Sequence, residues 1–308
     1  MNDMARTWMR RIALGLPVVT LPFISGFGGC YGCPETTDTF PLSGDGAVVI
    51  MTDAGPAASC EDACGELIRR GSISGSLISC QFVGDPATAV ECRYDPYCPG
   101  GRRPTGLQVA SREPSSAVGG WLAELAAVEA ASVPAFEHVA RELTDHGAPG
   151  RLVSGARRSA LEEVRHARAI AGLARRYGAE PSAARHTLTP TRTLEEVARD
   201  NAVEGCAREA FGALLAARQS AAATDPAVAR VFGAIARDEA RHALLSYAIW
   251  DWTTERLDAR AVRRLDDARR EELGALQRRH EEDPEGALAT ALGLPSAERS
   301  QDMIAQLV

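Results

Sequence analysis

The chain has 308 residues and no lysine: all 34 of its basic residues are arginine. That bias reads as coding composition and carries no functional weight. With 41 acidic residues the net charge is -7, and no basic block stands out along the chain, which argues against nucleic acid as a partner. Aromatic residues make up only 5% while alanine is abundant, a balance that favours close-packed helices. Cysteine is almost missing beyond residue 100, where Cys206 stands alone.

The other seven cysteines, Cys30, Cys33, Cys60, Cys64, Cys80, Cys92 and Cys98, crowd into the first third. Such crowding means disulfides or metal, and the compartment decides which. Arg6, Arg10 and Arg11 precede an uncharged stretch from Ile12 to Gly29, the pattern of a bacterial export signal. Pro17, Pro22 and its glycines make that stretch a poor permanent membrane helix. Residues 1–29 are therefore read as an export signal, and Phe27-Gly28-Gly29-Cys30 resembles a lipoprotein cleavage site with Cys30 as the lipidated residue. A cleaved soluble form and an uncleaved anchor are the alternatives, and Arg10-Arg11 also allows a twin-arginine signal. The expected location is the cell envelope, either periplasmic or held to the membrane by a lipid anchor. Cys33, Cys60, Cys64, Cys80, Cys92 and Cys98 are then the disulfide candidates, in a connectivity that sequence leaves open. Cys30-x-x-Cys33 as a redox pair is a minor alternative, since the motif opens no helix.

Residues 30–45 read as a tether and residues 46–100 as a small β-α-β-β module: a strand near 47–51, a helix from Cys60 to Arg70 capped by Ser59, and strands at 78–83 and 88–94. A module of that size needs its disulfides as staples. Residues 101–117, with Pro-Gly-Gly-Arg102-Arg103-Pro, read as an exposed linker whose paired arginines are solvated or bind an anion.

From residue 118 the texture turns helical. A first helix over 121–143 carries Glu129 in the middle of an apolar stripe, and a second, running to about Tyr177, carries Glu163 and His166. A crossover over 178–192 leads to the capping box Thr193-Leu194-Glu195-Glu196, which opens a third helix bearing Glu204. Asp225-Pro226 starts a fourth, with Glu239 and His242 on its stripe. This four-helix bundle spans 118–255. Residues 256–308 add a charged helix and a short amphipathic piece with Met303, Ile304 and Leu307, which pack on the bundle or on another subunit of a homo-oligomer.

Two segments inside the bundle repeat: Glu162-Glu163-Val164-Arg165-His166-Ala167 and Asp238-Glu239-Ala240-Arg241-His242-Ala243. Each contains Glu-x-x-His, a pair that shares one helix face. The lone glutamates repeat as well, in Ala127-Val128-Glu129 and Ala202-Val203-Glu204, placed 34 and 35 positions before Glu163 and Glu239. At a rise of about 1.5 Å per residue, an antiparallel hairpin brings each lone Glu level with its Glu-x-x-His, so all six side chains can converge at one height. Cys206 should face away from that height as a packed thiol. Tyr177 and Tyr247 read as packing residues, and His138, His146, His186 and His280 as exposed ones without partners.

Two lone glutamates and two Glu-x-x-His pairs on four helices resemble the ligand set of the ferritin-like di-iron carboxylate proteins. The resemblance covers residues 118–250 and implies a ferritin-like four-helix bundle in a mainly α chain, behind a small disulfide-rich α+β module. It implies Glu129 and Glu204 as terminal ligands, Glu163 and Glu239 as bridging ligands, and His166 and His242 as one ligand to each metal. The cofactor would be two iron ions, with manganese as the alternative. Glu162 and Asp238 are placed to hold the second ring nitrogen of each ligand histidine across the bundle. The implied activity is an oxidoreductase of oxidase or peroxidase type reacting with O2, peroxide or Fe(II). Metal binding without turnover, or a structural envelope role, is the alternative.

Overall fold

A computed structural model describes residues 3–16, 36–41, 51–52, 55–56, 59–69, 75–84, 89–96, 102, 108–109, 116–181, 184–185, 190–281, 283–284 and 286–308. The chain divides into two compact units, one of residues 31–98 with 110–113, the other of residues 1–30, 99–109 and 114–308. Cys30, Cys33, Cys98, Arg103 and His186 lie outside the described residues, as do most of the strand expected near 47–51 and all of the expected signal segment beyond residue 16.

In the smaller unit, β1 (Thr36–Pro41), β5 (Ala89–Pro96) and β4 (Gly75–Val83) form an antiparallel sheet in the order β1-β5-β4. Strand β1 lies in the stretch read from sequence as a tether; its Thr36-x-Asp38-x-Phe40 alternation is short and carries little apolar signal. A minor pair, β2 (Met51–Thr52) with β3 (Gly55–Pro56), precedes helix α2 (Cys60–Arg69), which Ser59 caps by accepting from the Asp62 amide. Cys60 and Cys64, one turn apart on α2, are bonded to Cys80 and Cys92, which stand opposite one another on β4 and β5. Closing loops of 20 and 28 residues, each bond contributes roughly 3–4 kcal/mol through the unfolded chain. Both are consistent with an oxidising, exported environment.

The larger unit is helical. Its long elements are α3 (Ala117–Asp145), α4 (Gly150–Arg176) and α7 (Pro226–Thr254). Between α4 and α7 runs a third rod: α5 (Leu194–Asp200), a π-helical segment over Asn201–Glu209, and α6 (Ala210–Ala222). The signals read from sequence act as expected at the ends. Thr193 and Glu196 form the reciprocal capping box, and Asp225 accepts from the Ala227 amide at 2.7 Å with Pro226 in the first turn. The π segment was not expected; no residue pattern in Asn201–Glu209 separates i→i+5 pairing from ordinary helix. The crossover is not featureless either. Its β7 (Ala184–Arg185) pairs with β6 (Gln108–Val109) from the segment ahead of α3.

Helix α1 (Asp3–Ala13), within the expected signal, buries Ala5, Met9 and Ile12 in the bundle core, and Arg6 pairs with Asp251 on α7 at 2.7 Å. Helix α8 (Ala259–Arg279) packs on the π segment, followed by α9 (Gly286–Leu292) and α10 (Ala297–Ala305), whose Met303 and Ile304 join the same core, as does Leu307 beyond its end. Among the described residues no helix is long and apolar enough to cross a membrane.

The apolar interior falls into two clusters. One gathers Leu122, Leu125, Ile170, Leu173, Phe232 and Ile235; the other gathers Phe136, Val139, Leu152, Ala156, Ile249 and Trp252. Along α3 and α4 the residues that separate them are Glu129 and Glu163/His166, while on α7 the first cluster runs on past Glu239/His242 through Ala243, Tyr247 and Trp250. A charged layer therefore interrupts the core, where burying unpaired carboxylates costs several kcal/mol each.

A buried carboxylate and histidine centre

Glu129, Glu163 and Glu239 are 4%, 1% and 5% exposed, and His166 and His242 are equally buried. Donor atoms of Glu129, Glu163, His166 and Glu239 all lie within 4.8 Å of one another. His166 Nδ1 is 3.3 Å from Glu129 Oε2, 3.4 Å from Glu239 Oε1 and 3.5 Å from Glu163 Oε2. His242 Nδ1 is 3.1 Å from Glu163 Oε1 and 3.5 Å from Glu239 Oε1. Each imidazole thus turns Nδ1 inward, and Glu163 faces both rings.

The outward nitrogens are held reciprocally. His166 Nε2 is 3.2 Å from Asp238 Oδ2 on α7, and His242 Nε2 is 2.9 Å from Glu162 Oε2 on α4. The arginines of the repeat complete the exchange, Arg165 pairing with Asp238 at 3.1 Å and Arg241 with Glu162 at 2.8 Å. Arg241 also pairs with Asp238 one turn back on its own helix. Every charged position of the repeated hexapeptide therefore has a partner across the α4/α7 contact. A carboxylate at the outer nitrogen fixes ring orientation and raises the basicity of the inner one.

Electrostatics follow from this packing. Burial would favour neutral imidazoles, but Asp238, Glu129, Glu163 and Glu239 hold His166 well above its ordinary value, and Glu239, Glu162 and Glu163 do the same for His242. Burial pushes the Glu163 carboxyl up, yet the two imidazoles that face it hold it below the usual carboxylate range. Glu129 stays raised, by burial and then by the Glu163 charge. Burial likewise works against Glu162 and Asp238, which their histidine and arginine partners keep low and ionised.

Glu163 Oε2, Glu239 Oε1 and His242 Nδ1 are buried with no hydrogen-bond partner among the described residues. Three inward groups with unused lone pairs or protons are what a metal would satisfy, and the O/N donor set suits iron or manganese. The buried cluster is compatible with a di-metal site.

Glu204 is not one of the four residues whose donor atoms gather within 4.8 Å. Its Oε1 is 2.6 Å from Arg208 Nη1, and Arg208 in turn pairs with Glu272 of α8 at 2.8 Å. The expectation that Glu204 shares the height of the cluster assumed ordinary helical rise and phase, whereas Glu204 lies within the π segment. The inward-facing acid on this rod is Glu209, five residues on and 1% exposed, which burial pushes up to about 7 against the pull of Arg102.

Arg102 overturns the reading of an exposed linker. Its side chain is 1% exposed, with Nε 3.2 Å from Glu209 Oε1 and Nη2 3.3 Å from Ser246 Oγ, while its carbonyl accepts from Ser132 Oγ at 2.7 Å. No local pattern signals this, because its partners lie 30 to 144 positions away.

The remaining assignments divide. Cys206 is a buried free thiol, pushed up to about 12 by burial, and Tyr247 is buried as a packing residue. Tyr177 donates to Asp225 at 2.9 Å, which ties the end of α4 to the cap of α7. Of the histidines expected to be exposed and unpartnered, the described ones, His138, His146 and His280, are neither. His138 Nε2 is 3.1 Å from Glu142, His146 Nε2 is 2.8 Å from the Arg192 carbonyl, and the His280 ring packs on Phe211. Burial and Arg279 push His280 down to about 4.

Comparison of the chain with protein-family models, with curated proteins and with solved structures finds no match.

Proposed function

We propose that this is an exported protein whose helical unit holds two iron ions, with manganese as the alternative, and reacts with O2, peroxide or Fe(II). The observation that carries this reading is the buried cluster of three carboxylates and two imidazoles with unsatisfied inward donor atoms. A pair of redox-active divalent ions, when bound, would supply electrons to an oxidant.

The chain's own residues have separable tasks. Glu129, Glu163 and Glu239 would neutralise most of the added charge, while His166 and His242 contribute one inward nitrogen each. Glu162 and Asp238 keep those rings turned inward. Binding has to displace the protons held on the imidazoles, so metal uptake is expected to release protons and to strengthen as pH rises. Phe136, whose ring meets the His242 imidazole at 4.9 Å, belongs to the apolar cluster that keeps water from one side of the layer.

The test is anaerobic loading with Fe(II) followed by oxygen or hydrogen peroxide, read by ferric absorbance and oxidant consumption. The wild type should consume oxidant faster than the same concentration of free Fe(II), and Glu163→Ala should not. Equal rates for protein-bound and free iron would remove the oxidoreductase reading and leave metal binding without turnover.

A further inference from the structure

We propose that Arg102 is a positioning residue for the metal centre, fixing the His242 half of the cluster from outside it; the functional part of this rests on the metal reading above. Arg102 enters between α3 and the π segment, pinned on both sides. Ser132 on α3 donates to its carbonyl at 2.7 Å, and its Cζ lies 5.1 Å from the Phe136 ring centre. On the other side the guanidinium reaches Glu209 at 3.2 Å, Asn201 Oδ1 at 3.4 Å and Asp200 at 3.6 Å. Gly205 makes room for it: a Cβ there would sit 2.6 Å from Arg102 Nη2 and 2.1 Å from Ser246 Oγ.

Two routes lead from this guanidinium to His242. The first is Phe136, held between the cation on one side and the imidazole on the other, its ring 4.9 Å from the His242 ring at 61°. The second is Ser246, one turn beyond His242 on α7. Its Oγ lies 3.3 Å from Arg102 Nη2, 3.1 Å from Glu209 Oε2 and 3.0 Å from the His242 carbonyl oxygen. Glu209 is thereby held by Arg102 and Ser246. The hydrogen-bonding and ionic neighbours of His166 are Asp238, Glu129, Glu163 and Glu239, its ring lies 5.9 Å from that of His242, and the guanidinium reaches it only by way of His242. The arrangement is one-sided, and that gives it a signature.

The experiment uses the full chain labelled with 15N-histidine, first free of metal and then titrated with Co(II). In metal-free protein, Arg102→Ala should shift or broaden the ring resonances of His242 while changing those of His166 by less. Cobalt affinity should then fall about 10-fold, the lower end of the loss when a ligand's direct partner is removed, because Arg102 acts on His242 only through Phe136 and Ser246. Arg102→Met combined with Glu209→Gln leaves no unpaired buried charge and should reproduce both effects if the single variant does not fold.

Unchanged His242 resonances, or equal changes at both rings, overturn the assignment. An unchanged cobalt affinity in a chain whose wild type binds the ion overturns it as well. A selective His242 change in a protein that takes up no cobalt even as wild type would uphold the positioning and overturn the metal reading alone.

Discussion

Glu163→Ala is expected to abolish the metal-dependent rise in melting temperature that the wild type shows. Glu163 meets both inward imidazole nitrogens, with Oε2 3.5 Å from His166 and Oε1 3.1 Å from His242, the shortest carboxylate approach to the His242 nitrogen. Its loss strikes both halves of the centre, whereas Glu129 meets only His166 among the described contacts. An ion present at about a thousand times its dissociation constant stabilises the folded state by about 4 kcal/mol. For a helical unit of this size that corresponds to a shift on the order of 10 °C. The metal-free variant should stay folded, since it also relieves the repulsion that helps raise Glu129. Thermal unfolding with and without Fe(II) under anaerobic conditions checks this. A variant that retains the full wild-type shift would show that the metal sits elsewhere.

The second large effect concerns the crossover. Glu142 on α3 is fully buried and receives Arg192 through Nε and Nη2, both at 2.8 Å, and through the backbone amide at 3.3 Å. Arg192 ends the crossover just ahead of the capping residue Thr193, so this pair fixes where the third rod begins. Glu142→Ala leaves the guanidinium without its bidentate partner and should cost roughly 2–4 kcal/mol at neutral pH, a little under the usual figure because Arg192 keeps some solvent contact.

The pH dependence has a definite sign. Burial pushes the Glu142 carboxyl up, but hydrogen bonds and charge from Arg192 hold it below its ordinary value. A depressed carboxylate contributes stability above the unfolded-state range, and that contribution is lost as pH falls through the folded-state value. Denaturant unfolding of wild type and Glu142→Ala should therefore give a difference that is full near pH 7 and narrows below about pH 4. A difference independent of pH would contradict the ion pair.

The parts of the centre that were legible in sequence are those that depend on regular helices. Glu129, Glu163, His166 and Glu239 meet because an antiparallel hairpin of ordinary helices converts residue spacing into height with little error. The acid and the arginine in each copy of the repeat were also visible, though only the α4/α7 contact explains why Arg165 and Arg241 belong there. For Glu204 this arithmetic meets the π segment, whose phase and rise differ, and Arg208 binds both Glu204 and Glu272 there. Arg102 and Glu209 were hidden for a different reason. Their pairing spans 107 positions and joins a Gly/Pro-rich segment to a helix, with no periodicity to expose it. In the smaller unit, strand β1 was missed because its apolar side offers little beyond Phe40 and its partner lies at Ala89–Pro96. Of the histidines misread as exposed, His146 meets the crossover and His280 packs on Phe211, contacts that only the folded chain creates, whereas the His138–Glu142 pair is a local i,i+4 contact that the sequence already held.

The most direct test is the iron and manganese content of the full chain, purified without a metal-binding tag and set beside Glu163→Ala prepared identically. About two ions per wild-type chain are expected, with clearly fewer in the variant. Wild type and variant with the same content, near zero or otherwise, would contradict a metal centre at Glu129, Glu163, His166, Glu239 and His242.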